Sequence, residues 1–428
     1  MASLFRFIYS LLIYLFTPVI LFRLLYRGVR VPAYRRRWAE RFGFVPDLNN
    51  QQIIWLHAVS VGETLAAVPL VKALQAHYPQ YQLMVTCMTV TGSQRIRAVF
   101  GDTVKHSYAP YDTPDAVARF LKRVNPKLLI IMETELWPNT IAACRRRDIP
   151  VVLANARLSQ KSARGYSNIA PLVGGMLRSI NMLVAQQSED GQRFIDLGLP
   201  PQALTVSGNI KFDLCLDSNL QQKAAALALQ WRGSEDRAVW LAASTHQGED
   251  EIILQAFKRL VSALETPPLL VLVPRHPERF DSVYELFVRA GFSVAKRSNK
   301  AVDTGKVDIL LGDTMGELML FYGACDIAFV GGSLVPNGGH NMIEPAAWGM
   351  PIISGPHLFN FSEVSKLLIS ADAMLVCESA NQLAEQTLNL LQNPKRCQSM
   401  GKAAKQIAEE NRGALNKLLA QIDRQLSL

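Results

Sequence analysis

Neither a Cys-x-x-Cys pair nor a Cys/His cluster with zinc-ligand spacing occurs in the 428 residues, whose six cysteines stand far apart at 87, 144, 215, 325, 377 and 397. They imply no structural zinc site and read as reduced core thiols of a cytosolic compartment. No Asp-x-Asp is present, so the usual short motif for a metal-bound nucleotide sugar is missing and no metal is implied. A basic stripe with interleaved aromatics is also lacking. The net charge of +9 is concentrated in residues 23–41, where seven arginines face the single acid Glu40 and supply +6 of it. The rest of the chain is nearly balanced, which excludes a nucleic-acid partner. With 49% hydrophobic residues the chain has material for two or three buried cores and is not disordered.

Long apolar runs are rare, with one exception. Residues 7–22, FIYSLLIYLFTPVILF, lie between Arg6 and Arg23 and are broken only by Ser10, Thr17 and Pro18. Sixteen residues fall short of the ~20 that span a bilayer comfortably, so the segment either spans thinly or lies in the interface. No small-x-small cleavage site follows, which argues against a removable signal. The arginines behind it would keep the remaining chain cytoplasmic and attract anionic headgroups. Residues 1–45 therefore read as a membrane anchor with a basic juxtamembrane segment.

After Pro46 short apolar strands alternate with helical stretches, the signature of doubly wound parallel sheets. One series covers 53–58, 83–87, 128–132, 151–154, 182–185 and 204–206. A second covers 239–243, 269–273, 293–295, 308–311, 327–330, 351–354 and 374–377. A Gln- and Ala-rich helical stretch, 219–231, separates them. The expected fold is α/β with two facing Rossmann-like domains, 46–218 and 219–428, and a ligand cleft between them.

Ligands of open parallel sheets bind beyond the carboxyl ends of the strands, so the polar residues following each strand are the candidates. HAVSVGET places Glu63 at a helix start, either as a dipole-complementing carboxylate or as a general base facing the cleft. METELWPN ends an apolar run on Glu133, a partly buried carboxylate in need of a partner, with Glu135 directed elsewhere. ANARLS delivers Asn155 and Arg157. SGNIKFD delivers Asp213 and Lys211, a cation suited to an acidic substrate. In the second half Ser244, Thr245 and His246 occupy a strand-to-helix turn. Arg275 and His276 follow the next strand between Pro274 and Pro277, and His246 and His276 read as orienting or satisfied residues. GDTMGEL presents a helix start at Met315, Gly316 and Glu317. His57, His77, His106 and His357 show no ligand spacing.

The densest stretch is IAFVGGSLVPNGGHNMIEPAAWGMPIISGPHLFNF, 327–361, read as strand, loop, helix, strand. Gly331, Gly332, Gly338 and Gly339 would let backbone N–H groups form an anion cradle. Asn341, Met342, Ile343 and Glu344 would make the first helical turn, whose positive end attracts a phosphate gripped also by Arg275. Glu344 there is either a plain helix-start carboxylate or an acceptor for ribose hydroxyls.

Together, SVGET, METELWPN, GNIKFD, STHQGE, PRHPERF, GDTMGEL and GGSLVPNGGHNMIEP closely resemble, in this order over nearly the whole chain, the Kdo (3-deoxy-D-manno-octulosonic acid) transferases of Gram-negative bacteria. The resemblance implies a glycosyltransferase-B fold. It also implies inverting, metal-independent transfer of Kdo from CMP-Kdo to the lipid A precursor, a tetraacyl disaccharide bisphosphate, at the cytoplasmic face of the inner membrane. By the same resemblance Glu63 matches the catalytic base, while Glu133 and Lys211 match residues that stabilise the transition state. Pro274, Arg275, Met315, Gly316, Glu317, Asn341, Met342, Ile343 and Glu344 match the CMP-binding positions. One departure stands at Met342, where the family pattern commonly has proline after the asparagine of GGHN. Two other readings remain open on sequence: a nonhydrolysing sugar-nucleotide epimerase of the same two-sheet architecture, and a membrane-tethered protein that binds nucleotide without turning it over.

Overall fold

Strands that are buried on both faces read as near-continuous apolar runs, and this chain builds two sheets from such runs. The computed structural model describes residues 2–214, 216–233, 237–299 and 303–427. It divides into two compact units, Met1–Asp213 with Arg412–Leu428, and Leu214–Asn411.

The first unit holds β1 (Ile53–His57), β2 (Gln82–Cys87), β3 (Lys105–Tyr108), β4 (Pro126–Met132), β5 (Val151–Ala156), β6 (Met182–Ala185) and β7 (Leu204–Val206). They lie in the order β3-β2-β1-β4-β5-β6-β7, all pairings parallel. Both faces of this sheet carry apolar clusters, one centred on Trp55, Phe120 and Phe194 and the other on Leu70, Leu74 and Ile130. Strand β3, KHSY, was not expected. Its polar residues on a sheet edge carry no apolar run to reveal it.

The second unit holds β8 (Val239–Thr245), β9 (Leu269–Pro274), β10 (Val294–Lys296), β11 (Ile309–Leu311), β12 (Ile327–Val330), β13 (Ile352–Ser354) and β14 (Met374–Val376). Their order is β10-β11-β9-β8-β12-β13-β14, again parallel.

In each sheet the chain leaves the first strand in one direction and later returns to its other side. That produces a topological switch point, where a crevice opens at the strand ends. It falls between β1 and β4 in the first unit and between β8 and β12 in the second.

Two boundaries differ from the sequence reading. The segment expected as an anchor is one continuous helix, Ala2–Arg30, with Pro18 inside it, longer than the sixteen-residue run. The final helix, Ala414–Leu426, belongs to the first unit, so that unit is discontinuous in sequence and the second ends at Asn411. Ala414, Leu418, Leu419 and Ile422 complete one of the first unit's apolar clusters. Of the cysteines, 87, 144 and 377 are buried thiols, 325 and 397 half-buried; Cys215 lies outside the described residues.

The start of the last helix is capped by a carboxylate from far away in sequence. Asp213 Oδ1 accepts from the N–H of Gly413 (2.6 Å) and Oδ2 from that of Leu415 (2.7 Å), satisfying donors that the helix itself leaves unpaired. Asp213→Ala removes this cap and is expected to destabilise the first unit by about 1–2 kcal/mol. Hydrogen exchange should lose protection first in 414–426.

Candidate active site

At the first switch point, Ser60 caps the helix Val61–His77, its hydroxyl accepting from Glu63 N–H (3.3 Å). The Glu63 carboxylate reaches back in turn: Oε1 accepts from the Ser60 hydroxyl (2.7 Å) and Oε2 from Val59 N–H (2.8 Å). This is a capping box whose return bond lands one residue early. Glu63 is 7% exposed. Burial raises its pKa to about 7 against the lowering effect of these two donors, and the nearby carboxylates of Glu135 and Glu133 push the same way.

Glu133, directly after β4, holds a left-handed backbone (φ 54°), as does Asn155 at the end of β5 (φ 54°). Residues with side chains adopt this region at a cost, and such outliers gather at functional sites. The turn aims Glu133 between two cations, with Lys211 Nζ 3.5 Å from Oε1 and Arg157 Nε 3.7 Å from Oε2. Asn155 supports the same corner: its Oδ1 accepts from Ile210 N–H (3.1 Å), holding the turn that carries Lys211. Glu135 accepts instead from the Trp137 indole. The sequence thus placed Glu63, Glu133, Arg157 and Lys211 at the ends of strands whose order makes them neighbours.

At the second switch point the organising residue is one that sequence reading missed. Glu249, fully buried, accepts from four backbone N–H groups: His246 (2.8 Å) and Gly332 (2.7 Å) on Oε2, Ser333 (3.0 Å) and Leu334 (2.9 Å) on Oε1. Four donors match the acceptor capacity of an ionised carboxylate. The glycine-rich loop is therefore not an open anion cradle, since the protein's own carboxylate occupies it. Gly331 N–H goes to Ala243 O and Gly339 N–H to Gly332 O. Gly331 is required by contact: a Cβ there would lie 2.7 Å from Ser244 O and 2.9 Å from Glu249 Oε2.

Above this loop lies a histidine cluster, of which His340 was also missed. Its Nε2 is 2.8 Å from His246 Nε2, the two rings nearly parallel, and the His276 ring packs edge-on against His246. Burial lowers both pKa values, that of His340 to about 4, so the pair is neutral at pH 7 and shares one N–H bond. Ser244 (φ 56°) makes the bend that presents His246. Thr245 O accepts from Arg275 N–H (3.0 Å) and Arg279 Nη1 (2.7 Å), and Arg279 Nη2 pairs with Asp250. Pro274 is thereby buried at the end of β9 while the Arg275 side chain stays exposed.

The helix after the glycine loop spans Ile343–Trp348, two residues later than expected. Asn341 precedes it: Oδ1 accepts from Ile343 N–H and Nδ2 donates to Glu344 Oε1, both at 3.1 Å. Met342 and Ile343 are fully buried core side chains, so a ligand can meet them only through the backbone. Met342 has φ −80°, close to the proline value, and the departure from the family pattern leaves the turn intact. Burial raises the Glu344 pKa, opposed by Asn341 and Arg275. Met315, Gly316 and Glu317 form a turn ahead of the helix Leu318–Ala324 and not its first turn. Gly316 has φ 87°, Met315 is exposed, and Glu317 is held by Arg297 and Thr314. His57, His77 and His106 bond Thr86, Ala73 O and Ser93 respectively. Among the described residues no group of three or more His, Cys, Asp or Glu is placed to hold a metal ion.

A sequence profile described as 3-deoxy-D-manno-octulosonic-acid transferase matches residues 36–214. The chain is 45% identical over 417 residues to the 3-deoxy-D-manno-octulosonic acid transferase of Haemophilus influenzae, covering 97% of each. It is 38% identical to that of Bordetella pertussis over 374 residues, 86% of each. In structure it resembles MurG of Acinetobacter baumannii at a TM-score of 0.56 and 12% identity, over 86% of this chain and 99% of that one. This places the chain in the glycosyltransferase-B fold.

Glu249→Gln keeps the size of the side chain but turns an NH2 toward donors. It is expected to destabilise the second unit by on the order of 3 kcal/mol, since at least two buried N–H groups lose their acceptor. A denaturation midpoint unchanged from wild type would show that the loop holds its shape without the carboxylate.

Proposed function

The chain belongs to the 3-deoxy-D-manno-octulosonic acid (Kdo) transferase family and is a glycosyltransferase, and from that premise we propose that it moves Kdo from CMP-Kdo to a sugar hydroxyl of the lipid A precursor, inverting the anomeric carbon. The reaction takes place at the cytoplasmic face of the inner membrane, where an acyl-chain acceptor stays embedded. Glu63 is the base, Glu133 and Lys211 steady the transition state, and the second unit holds the nucleotide.

The observation that carries this reading is Glu63, a buried carboxylate at the β1–β4 switch point whose pKa is raised to about 7. A base poised near the working pH takes a proton with the least sacrifice of its ionised fraction. Glu63 removes the proton of the acceptor hydroxyl as that oxygen attacks the anomeric carbon. The bond from that carbon to the CMP phosphate oxygen breaks, and its electron pair leaves with CMP. Attack from the face opposite the leaving group inverts the centre. Lys211, paired with Glu133, supplies positive charge for the acidic sugar. Arg275, exposed and fixed through its own backbone to Thr245, meets the phosphate, so protein groups and not a metal take up the leaving charge. Glu344, oriented by Asn341, accepts from the ribose hydroxyls, and Pro274, Met315, Gly316, Glu317, Met342 and Ile343 shape the nucleotide site around it.

Two outcomes follow. Glu63→Gln is expected to lower turnover by about 10²–10⁴-fold while CMP-Kdo still binds. In wild type kcat/KM should fall as pH drops below about 7, because protonation removes the base; transfer of radiolabelled Kdo to a tetraacyl acceptor measures both. Near-normal turnover in the mutant would remove Glu63 from the role. Arg275→Ala is expected to weaken CMP binding by roughly tenfold or more, the worth of one charge-assisted hydrogen bond; titration calorimetry giving unchanged affinity would place the phosphate elsewhere.

A further inference from the structure

The N-terminal helix has two unlike faces, and they settle how it can meet a bilayer. Along one face, at a spacing of three or four residues, Tyr9, Ile13, Thr17 and Ile20 are half-buried and Leu24 and Gly28 buried. The helices Ala170–Leu177 and Pro138–Arg145 pack against it, as does the turn Pro32–Arg35 that directly follows it. The contact is polar as well as apolar: Tyr14 Oη donates to Asp115 Oδ1 (2.6 Å), Ser10 Oγ lies 3.1 Å from Asn139 Oδ1, and Tyr9 bonds Asp112. On the opposite face Leu4, Phe7, Leu11, Leu15, Phe22 and Val29 form a stripe, each between 59% and 71% exposed.

Tyr9 to Gly28 covers roughly 30 Å of helix at 1.5 Å per residue, which is the length a membrane span would need. Over that length one face of the helix is half-buried or buried against the protein itself. Tyr14 sits near the middle of Ala2–Arg30, so a crossing helix would carry Asp115, and the Arg119 paired with it, to the bilayer centre. A charged side chain there costs at least about 2.5–3.5 kcal/mol. An in-plane helix avoids this cost. It immerses the exposed stripe among acyl chains and leaves the docked face and its carboxylates on the aqueous side. The exposed side chains of Arg23, Arg27, Arg35 and Arg36 then lie at headgroup level.

We infer that the helix does not cross the membrane but lies flat in one leaflet, as an interfacial anchor seated on anionic phospholipid. The inference stands on the helix alone, whichever sugar the enzyme moves.

Single cysteines introduced at Leu4, Leu11, Leu15 and Phe22 would carry nitroxide labels on the full chain, bound to vesicles of mixed zwitterionic and anionic phospholipid. The parent chain labelled in the same way supplies the background. Immersion depth is expected to be nearly equal at the four sites, and a peptide tag at the N-terminus should remain open to protease outside the vesicle. Leu11→Asp with Leu15→Asp is expected to lower vesicle binding by at least tenfold. Depth that peaks at mid-helix, with the tag protected inside, would overturn the inference in favour of a span. Labels that show no immersion on bound or unbound protein would overturn it in favour of a protein partner on that face.

Discussion

A fully buried carboxylate with four backbone donors is the constraint on which the second unit depends. Glu249 stands at the start of the helix after β8, yet three of its four partners belong to the loop after β12. It therefore ties together the two strands that flank the switch point. Each donor would be costly if left buried and unpaired, so helix and loop order one another. The consequence for chemistry is that the loop reaches its shape before any ligand arrives. Preorganised groups need no reorganisation when charge develops, and the histidines 246 and 340, carried by the two tied elements, are brought into contact by the same bond set.

The first unit solves the parallel problem with backbone strain in place of a carboxylate bridge. Glu133 and Asn155 both sit in left-handed conformations at adjacent strand ends, and the β5–β6 register shifts there. The strain turns Glu133 out of the sheet toward Lys211 and Arg157, while Asn155 holds the Lys211 turn from below. Both ion pairs are long and partly exposed, so they contribute little to stability. What they fix is position: a carboxylate held between two cations at the end of β4.

What could be read from sequence follows from how far each signal reaches. The strands were legible because burial on both faces leaves apolar runs, and the order of polar residues after them was enough to single out Glu63, Glu133 and Lys211. Strand β3 was not, because KHSY carries no such run. Glu249 and His340 were missed for another reason: three of Glu249's four partners, and the His246 that meets His340, lie 83 to 94 residues away, and no local pattern announces a contact made across a sheet. The glycine loop was misread in the same way. Its composition announced bare N–H groups, and only the fold reveals that Glu249 takes that of Gly332 while backbone carbonyls take those of Gly331 and Gly339. The last helix, returning to the first unit through Asp213, is likewise a long-range fact.

Glu63 illustrates why a structural and a chemical role need not compete. Both of its oxygens serve the cap of the helix Val61–His77, which by itself would hold the carboxylate ionised and its pKa low. Burial acts in the opposite direction and prevails, so the pKa rises to about 7. Each oxygen receives one donor, and a carboxylate oxygen offers two lone pairs, so one position on each remains able to take a proton. The cap fixes where that position points. A freely rotating glutamate at the same site would be more solvated, more acidic and worse aimed. The helix start that looked like the plain alternative to the proposed catalytic role is what would aim the carboxylate for it.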